Sequence, residues 1–488
     1  MVFSSYSFLF LFLPIVLVVY FGMAKYVSRT TQHIFLVFAS LVFYAYNDIV
    51  YGITTGIPYV LLIMSSVAIN YGCAKAVAAI KEDKSLIRKS IFVLAVLFNV
   101  GLLGYYKYTR FILENINIVF DAHFTLKYII LPIGISFFTF QQIAYQISIW
   151  KRKETIPRFL DYSLFITFFP QLVAGPIVFS QDVMSQYQDD KNRFFNIDNF
   201  AQGIFIFCIG LFKKAVLADS IALVADTGFT TELHYLSFGG AWATSLAYTM
   251  QIFFDFSGYS DMAIGLGQMM NIKLPVNFYS PYRSQSITEF WQRWHITLGR
   301  SLAVLIYFPL GGNRKGYVRT CVNLFIVFLV SGIWHGAAWT FVIWGMAHGV
   351  VRVLEKIFEK QLPKIPSFIR IFFTFMFVNA AWVLFRAKTV NDALSVLQKM
   401  FIPKDISFDR LSMLATDGVL TYPDLIQSLY IILFIGILLL ISIGAPKNSI
   451  DYYNSFKPRV KYAMIAAAFF CISIIHISKA GAFIYFNF

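Results

Sequence analysis

Uninterrupted apolar runs of about twenty residues recur along the whole of this chain, and they limit its fold more than any other feature. A hydrocarbon core about 30 Å thick is spanned by about 20 helical residues. In lipid the backbone must satisfy its own hydrogen bonds, which leaves helices and closed barrels. Barrel strands read as short alternating segments, whereas these runs are continuous, so the spans are helical. With 58% of its 488 residues hydrophobic and only 13% charged, the chain carries about half the charge of an ordinary soluble domain. Candidate spans fall near 4–21, 34–47, 57–79, 90–106, 128–150, 200–225, 238–270, 321–351, 367–386, 425–445 and 460–479. They predict an all-α polytopic membrane protein. No repeat of fixed period is visible, so residues 1–488 read as a single membrane domain.

The formal net charge of +15 does not point to nucleic acid, because the Lys and Arg residues lie in short loops between apolar runs. That pattern is the positive-inside signal together with lipid headgroup contacts. Loops carrying Lys25 and Arg29, then Lys81 to Lys89, then Lys151 to Arg158 alternate with a loop around Asp48 that has no Lys or Arg and a loop of mixed charge at 107–127. The basic loops are therefore expected to be cytoplasmic. The loop 387–424 is the only sizeable soluble segment. The stretch 161–180 is interrupted by Pro170, Gly175 and Pro176, and the loop charges leave it no crossing of its own. It is expected to form a broken, re-entrant or buried hairpin, which a membrane tolerates only inside protein or beside a cavity. Lys213 and Lys214 are expected to snorkel from a tilted helix, with a buried pair as the alternative. Cys73, Cys208, Cys321 and Cys471 are far apart within apolar runs, as neither metal ligands nor a disulfide framework would be. No metal site is expected.

Two stretches put costly polar groups into apolar surroundings. In the run 321–351, His335 lies 14 residues beyond Cys321, about 21 Å along a continuous helix and so near the bilayer centre. An ionisable residue at that depth is a functional-site hypothesis, because a dry neutral imidazole can accept a hydroxyl proton. A histidine hydrogen-bonded for packing is the competing reading. Gly332 and Gly336 have the spacing that admits close approach of another helix or of substrate. On one straight helix His348 faces away from His335 and reads as structural. The second stretch is SITEFWQRWHITL, 286–298, where Ser286 and Glu289 have capping-box spacing and start a helix at Ile287. Its apolar face carries Trp291 and Trp294, with Arg293 opposite and His295 at the boundary. Either an interfacial anchor helix or the lining of an entry funnel fits this pattern. His33, His123, His234 and His476 lie in loops or near span ends and carry no assigned chemistry.

The motifs LPIGISFFTFQQIAY (131–145), FFPQLVAGPI (168–177), FSGYSDMAIGLGQMM (256–270), NFYSPYRSQSITEFWQRWHITL (277–298), YFPLGGNRKG (307–316), SGIWHGAAWTFVIWGMAHG (331–349) and C-terminal FIYFNF occur in this order. With the N-terminal MVFSSYSFLFLFLP, they make the chain resemble the alginate O-acetyltransferase-like bacterial branch of the membrane-bound O-acyltransferase (MBOAT) family. The resemblance implies a bundle of about eleven transmembrane helices, plus re-entrant or amphipathic helices, around a central tunnel, with His335 inside it and His295 on its cytoplasmic side as the catalytic pair. Trp291, Trp294, Arg293, Trp334 and Asn313 are the candidate lining residues. It further implies an acyl thioester such as acetyl-coenzyme A as donor substrate, no bound cofactor, and a polysaccharide acceptor outside the cytoplasm. A separate periplasmic or extracellular esterase-like acetyltransferase would complete the transfer from the bacterial inner membrane. Competing readings are a D-alanyl transferase acting on teichoic acid and a transporter of lipid-linked sugar. Where the resembling proteins carry an Arg–Asp pair, this chain has Ala303 and Val304.

Overall fold

The structure, a computed structural model, describes residues 1–50, 56–82, 85–125, 129–230, 233, 236–403, 424–477 and 484. Glu232, His234, most of the loop 387–424 and all of FIYFNF except Ile484 lie outside the described residues. Helices run in the order α1 (Leu13–Met23), α2 (Arg29–Val50), α3 (Gly56–Ala79), α4 (Leu86–Leu103), α5 (Thr109–Phe120) and α6 (Ile135–Trp150). Then come α7 (Phe159–Thr167), α8 (Phe169–Leu172), α9 (Ser180–Gln188), α10 (Ile197–Phe212), α11 (Asp219–Thr230) and α12 (Phe238–Met269). The rest are α13 (Ile287–Arg293), α14 (Ile296–Leu302), α15 (Tyr317–His335), α16 (Trp339–Ile357), α17 (Ser367–Arg386), α18 (Val390–Phe401), α19 (Asp424–Leu439), α20 (Ser449–Asn454) and α21 (Val460–His476). Among the described residues the β structure is one isolated bridge, Phe278 to Trp294. The fold is all-α, as expected. Pro58–Ala79, Leu86–Phe120, Tyr317–His335 and Ser367–Arg386 are long and apolar enough to cross a membrane, and shorter apolar helices accompany them.

The chain divides into two compact units. The first comprises Met1–Cys208, Tyr259–Val276 and Phe456–Ala467. Its helices are joined by buried amides: Asn70 of α3 exchanges hydrogen bonds with Asn99 of α4, and Gln146 of α6 donates to the Asn70 carbonyl at 2.7 Å. Such side chains hold helices together where apolar surface alone gives little preference over lipid. Arg88 is buried, yet it is spent on helix ends: it donates to Val77 O in the last turn of α3 and to Trp150 O at the end of α6, and stacks on the Trp150 ring. The stretch 161–180 is broken as expected. α7 ends at Thr167, α8 lasts one turn, and residues 161–178 are buried throughout. His33, given no chemistry above, is hydrogen-bonded through Nδ1 to Asp161 at 2.9 Å, and Arg158 clasps the same carboxylate.

The second unit comprises Ile209–Gly258, Asn277–Ser455 and Ala468–Phe488. Here three expectations are corrected. The run 321–351 is two helices, because Gly336 and Ala338 are extended and Phe341 folds over Gly336 so closely that no Cβ fits there. His335 is thus the last residue of α15, about 28 Å along it from Gly316, and is not in the middle of a continuous helix. The segment 286–298 is also two helices, broken at His295. Lys214 does not snorkel: it is buried between Asp219 and Asp255, 2.7 Å from each, and the backbone N–H of Ile484 donates to the other oxygen of Asp255.

Replacing Arg88 with Leu leaves the Val77 and Trp150 carbonyls without their donor. The expected loss is about 1–3 kcal/mol, read as a lower melting midpoint of the detergent-solubilised protein; an unchanged midpoint contradicts the capping role.

Candidate functional site

The site is assembled on the α15–α16 hairpin. Gly332 and Gly345 face each other so closely that a Cβ on Gly345 would stand 2.6 Å from Phe328 O, and one on Gly332 would strike Phe341 O. Gly349 meets Phe325 in the same way one turn further on. The close approach anticipated for Gly332 is therefore made by the returning helix α16. It brings Trp344 against His335, with ring centroids 5.2 Å apart. Trp334 at 4.9 Å and Phe385 of α17 at 5.2 Å close an aromatic box around the imidazole, which is 2% exposed.

His295 reaches the same cluster from the other helix pair. The cap of α13 forms as expected, with Ser286 Oγ accepting from Glu289 N at 3.0 Å, while the Glu289 carboxylate turns to Gln285 N. A second cap comes from α16: Glu355 accepts from Ile287 N, from Thr288 N at 2.9 Å and from Thr288 Oγ1 at 2.7 Å. α13 then stops, because Tyr279 N pairs with Arg293 O and Ile296 N with Asn277 O, the short bridge that turns the chain. His295 takes a left-handed backbone, φ 46°, at this corner. Its Nδ1 lies 3.0 Å from Asn277 Oδ1, which also accepts from Thr297 N and Thr297 Oγ1. An atom that accepts from a backbone N–H is an oxygen, so Nδ1 carries the hydrogen and the lone pair of the neutral ring is on Nε2. His295 is fully buried, with Phe256 at 4.8 Å and Trp334 at 6.3 Å. Trp334 thus touches both histidines.

The remaining sequence candidates are placed as follows. Trp294 is buried, stacked on Phe290 and tilted against Trp382. Trp291 donates through Nε1 to His348 Nδ1 at 3.2 Å. His348 is in turn 4.8 Å from Trp344, so the break in the 321–351 run brings it into the cluster instead of turning it away. Arg293 pairs with Glu289 at 2.8 Å and lies over the Tyr279 ring. Tyr279 itself is pinned to Asp451, whose carboxylate accepts its hydroxyl at 2.8 Å and raises the phenol's pKa. Asn313 is not brought together with the others: it is exposed in the turn at the opposite end of α15 from His335. Asn277, Trp344 and Phe385 were not anticipated. Asn277 stands 18 residues before His295, and nothing in local periodicity pairs the two. Among the described residues no group of three or more His, Cys, Asp or Glu side chains is arranged to hold a metal ion.

The model of MBOAT, the membrane-bound O-acyltransferase family, matches residues 49–390, which contain this entire cluster. The chain belongs to this family. It is similar to a peptidoglycan O-acetyltransferase of Helicobacter pylori, with 38% identity across 100% of this chain and 98% of the relative. It is also similar to a probable alginate O-acetylase of Pseudomonas aeruginosa, at 38% over 82% of this chain and 75% of the relative. A teichoic acid D-alanyltransferase of Bacillus subtilis is 30% identical over 52% of this chain and 69% of its own length. This MBOAT protein is therefore an O-acyltransferase and a multi-pass membrane protein.

Adding one methyl group at the hairpin seam by Gly332→Ala is expected to cost about 1–3 kcal/mol through overpacking and to lower the melting midpoint. Gly101→Ala on α4, where a Cβ meets open space, leaves the midpoint unchanged or higher. Equal behaviour of the two variants argues against the glycine seam.

Proposed function

We propose that this MBOAT enzyme moves an acetyl group from a cytoplasmic thioester, acetyl-coenzyme A, to hydroxyls of a cell-envelope glycan outside the bacterial inner membrane. The observation that carries the reading is the pair of buried histidines joined through Trp334 within the segment that matches the family. His335 acts as general base: it takes the acceptor hydroxyl proton as the oxygen attacks the thioester carbonyl. The new C–O bond forms, the C–S bond breaks, and the thiolate leaves with a proton returned from the imidazolium. The surrounding indole and phenyl rings keep out the water that would hydrolyse the thioester. His295, its tautomer set by Asn277, presents Nε2 to the donor as a second acid/base or positioning group. Trp291, Trp294, Trp334 and Arg293 line or flank the path through a bundle of about eleven membrane helices acting as one domain.

Similarity along the whole chain to a peptidoglycan O-acetyltransferase favours peptidoglycan as acceptor, with alginate-type polysaccharide second. A separate esterase-like acetyltransferase outside the cytoplasm receives the acyl group. The basic loops suit a polyanionic donor such as coenzyme A. The partial likeness to a D-alanyltransferase keeps D-alanine transfer as the second reading. Membranes given labelled acetyl-coenzyme A and no carrier protein distinguish the two: labelled glycan supports acetyl transfer, and label that stays off the glycan supports the alternative.

With His335→Ala at normal membrane abundance, glycan O-acetyl content is expected to fall by about 10²-fold or more, the scale of a lost general base. Wild-type acetylation in that strain would sink the assignment. Asparagine tolerates the left-handed backbone of residue 295, so His295→Asn is expected to keep the melting midpoint while acetyl transfer collapses. Full activity of that variant removes His295 from the chemistry.

A further inference from the structure

A cavity of about 350 Å³ opens between the C-terminal turns of α16, the connector 358–366 and the first half of α17. Leu354, Phe358, Ile369, Phe373 and Phe377 form its walls, and Arg370, whose Nε donates to Ile365 O at 3.1 Å, also lines it. Arg370 and Phe377 are separated by about 10 Å along α17, so the cavity runs from a helix end into a membrane span. Pockets of this size and apolarity are sites for small molecules or lipid tails.

The charges around it are uneven. Residues 352–370 hold five basic side chains and two acidic ones. Arg352 pairs with Glu355 at 3.5 Å and Lys356 with Glu359 at 2.6 Å. Glu355 is further occupied in capping α13. Among the described residues, Lys360, Lys364 and Arg370 have no carboxylate partner, and both lysines are exposed. Phe368, Phe372 and Phe373 beside them are 72%, 57% and 65% exposed, a surface suited to acyl chains and costly in water. The site therefore offers cations at one end and an apolar slot at the other, aligned with a membrane helix. Gln285, Glu355 and Thr374 also line the cavity, but its walls are otherwise apolar apart from Arg370, and the Glu355 carboxylate is occupied at α13. An alkyl chain suits such walls better than the amide-bearing pantetheine arm of coenzyme A.

We infer that this cavity seats one acyl chain of an anionic phospholipid, with the phosphate held by Arg370, Lys364 and Lys360. Juxtamembrane cations of this kind attract anionic headgroups, and an alkyl tail needs only the apolar walls.

Native mass spectrometry of the full chain in detergent tests this, with phosphatidylglycerol and phosphatidylcholine of identical chains as probes. Wild-type protein is expected to retain one phosphatidylglycerol with a preference of about tenfold or more. The triple variant Lys360→Ala, Lys364→Ala, Arg370→Ala loses the preference, and Thr374→Trp, which fills the slot, loses retention of both lipids. Melting midpoints in lipid-free detergent establish that each variant is folded, and the triple variant, altered only in its cationic side chains, decides the matter if the filled one does not fold. Equal retention of the two lipids by wild type, or undiminished preference in the triple variant, overturns the inference. So does displacement of the lipid by one equivalent of acetyl-coenzyme A, which gives the cavity to the donor, or its exclusion on dimer formation, which gives it to a second copy.

Discussion

The backbone approach of α15 and α16 at Gly332 and Gly345 is the constraint on which the site depends. Helices in lipid gain little from burying apolar surface against one another, so contact must come from close packing. Three glycines remove the side chains that would hold these two helices apart, and Gly336 permits the turn between them. Once the hairpin is closed, Trp344 can lie only against His335, and His348 follows one turn later. A wider hairpin would leave the His335 imidazole in a gap that water or lipid could enter. The chemistry proposed for it requires a dry, rigid surround, and the glycine seam provides one.

Polar hooks from distant segments then place the second histidine. Glu355, near the end of α16, caps the start of α13 and so sets where Trp291 and His295 arrive. Asn277 holds His295 by its ring and Thr297 by two bonds from one oxygen. In an apolar interior each such group would cost free energy if left without its partner. Their pairing makes the arrangement single-valued, because no neighbouring register satisfies them together. The same economy appears at Lys214, where two carboxylates and the Ile484 N–H meet.

Much of this was legible in the residues. Apolar run length gives the helical membrane fold, and Pro170 with Gly175 marks the broken segment 161–180. Ser286 and Glu289 give the start of α13 to the residue. The breaks at His295 and at Gly336 were not legible, since neither has a proline and both lie inside runs with helical periodicity. They follow from tertiary partners, the bridging segment Asn277–Tyr279 and the Phe341 ring folded back over Gly336, that helical periodicity does not reveal. For the same reason helical arithmetic turned His348 away from His335, when a change of direction between them brings both onto Trp344. Lys214 was misread because its two partners lie 5 and 41 positions away, and only the nearer one falls in its own neighbourhood.

The corner at His295 shows how position and chemistry are joined. A non-glycine residue in the left-handed region costs about 1–2 kcal/mol, and glycine or asparagine would relieve it. A histidine held there must be held by something, and the bonds through Asn277, with the flanking backbone bridge, are of a size to offset the cost. Strain of this kind persists where surrounding structure over-determines it, and it concentrates at functional sites. The same residue in a regular helix would escape the strain but would lie on a face of α13 set by helical rotation. The break frees the imidazole from that rotation and turns it to Trp334, the ring it shares with His335. Local backbone energy is exchanged for the packing of two histidines against one indole ring, which the helices alone would not bring about.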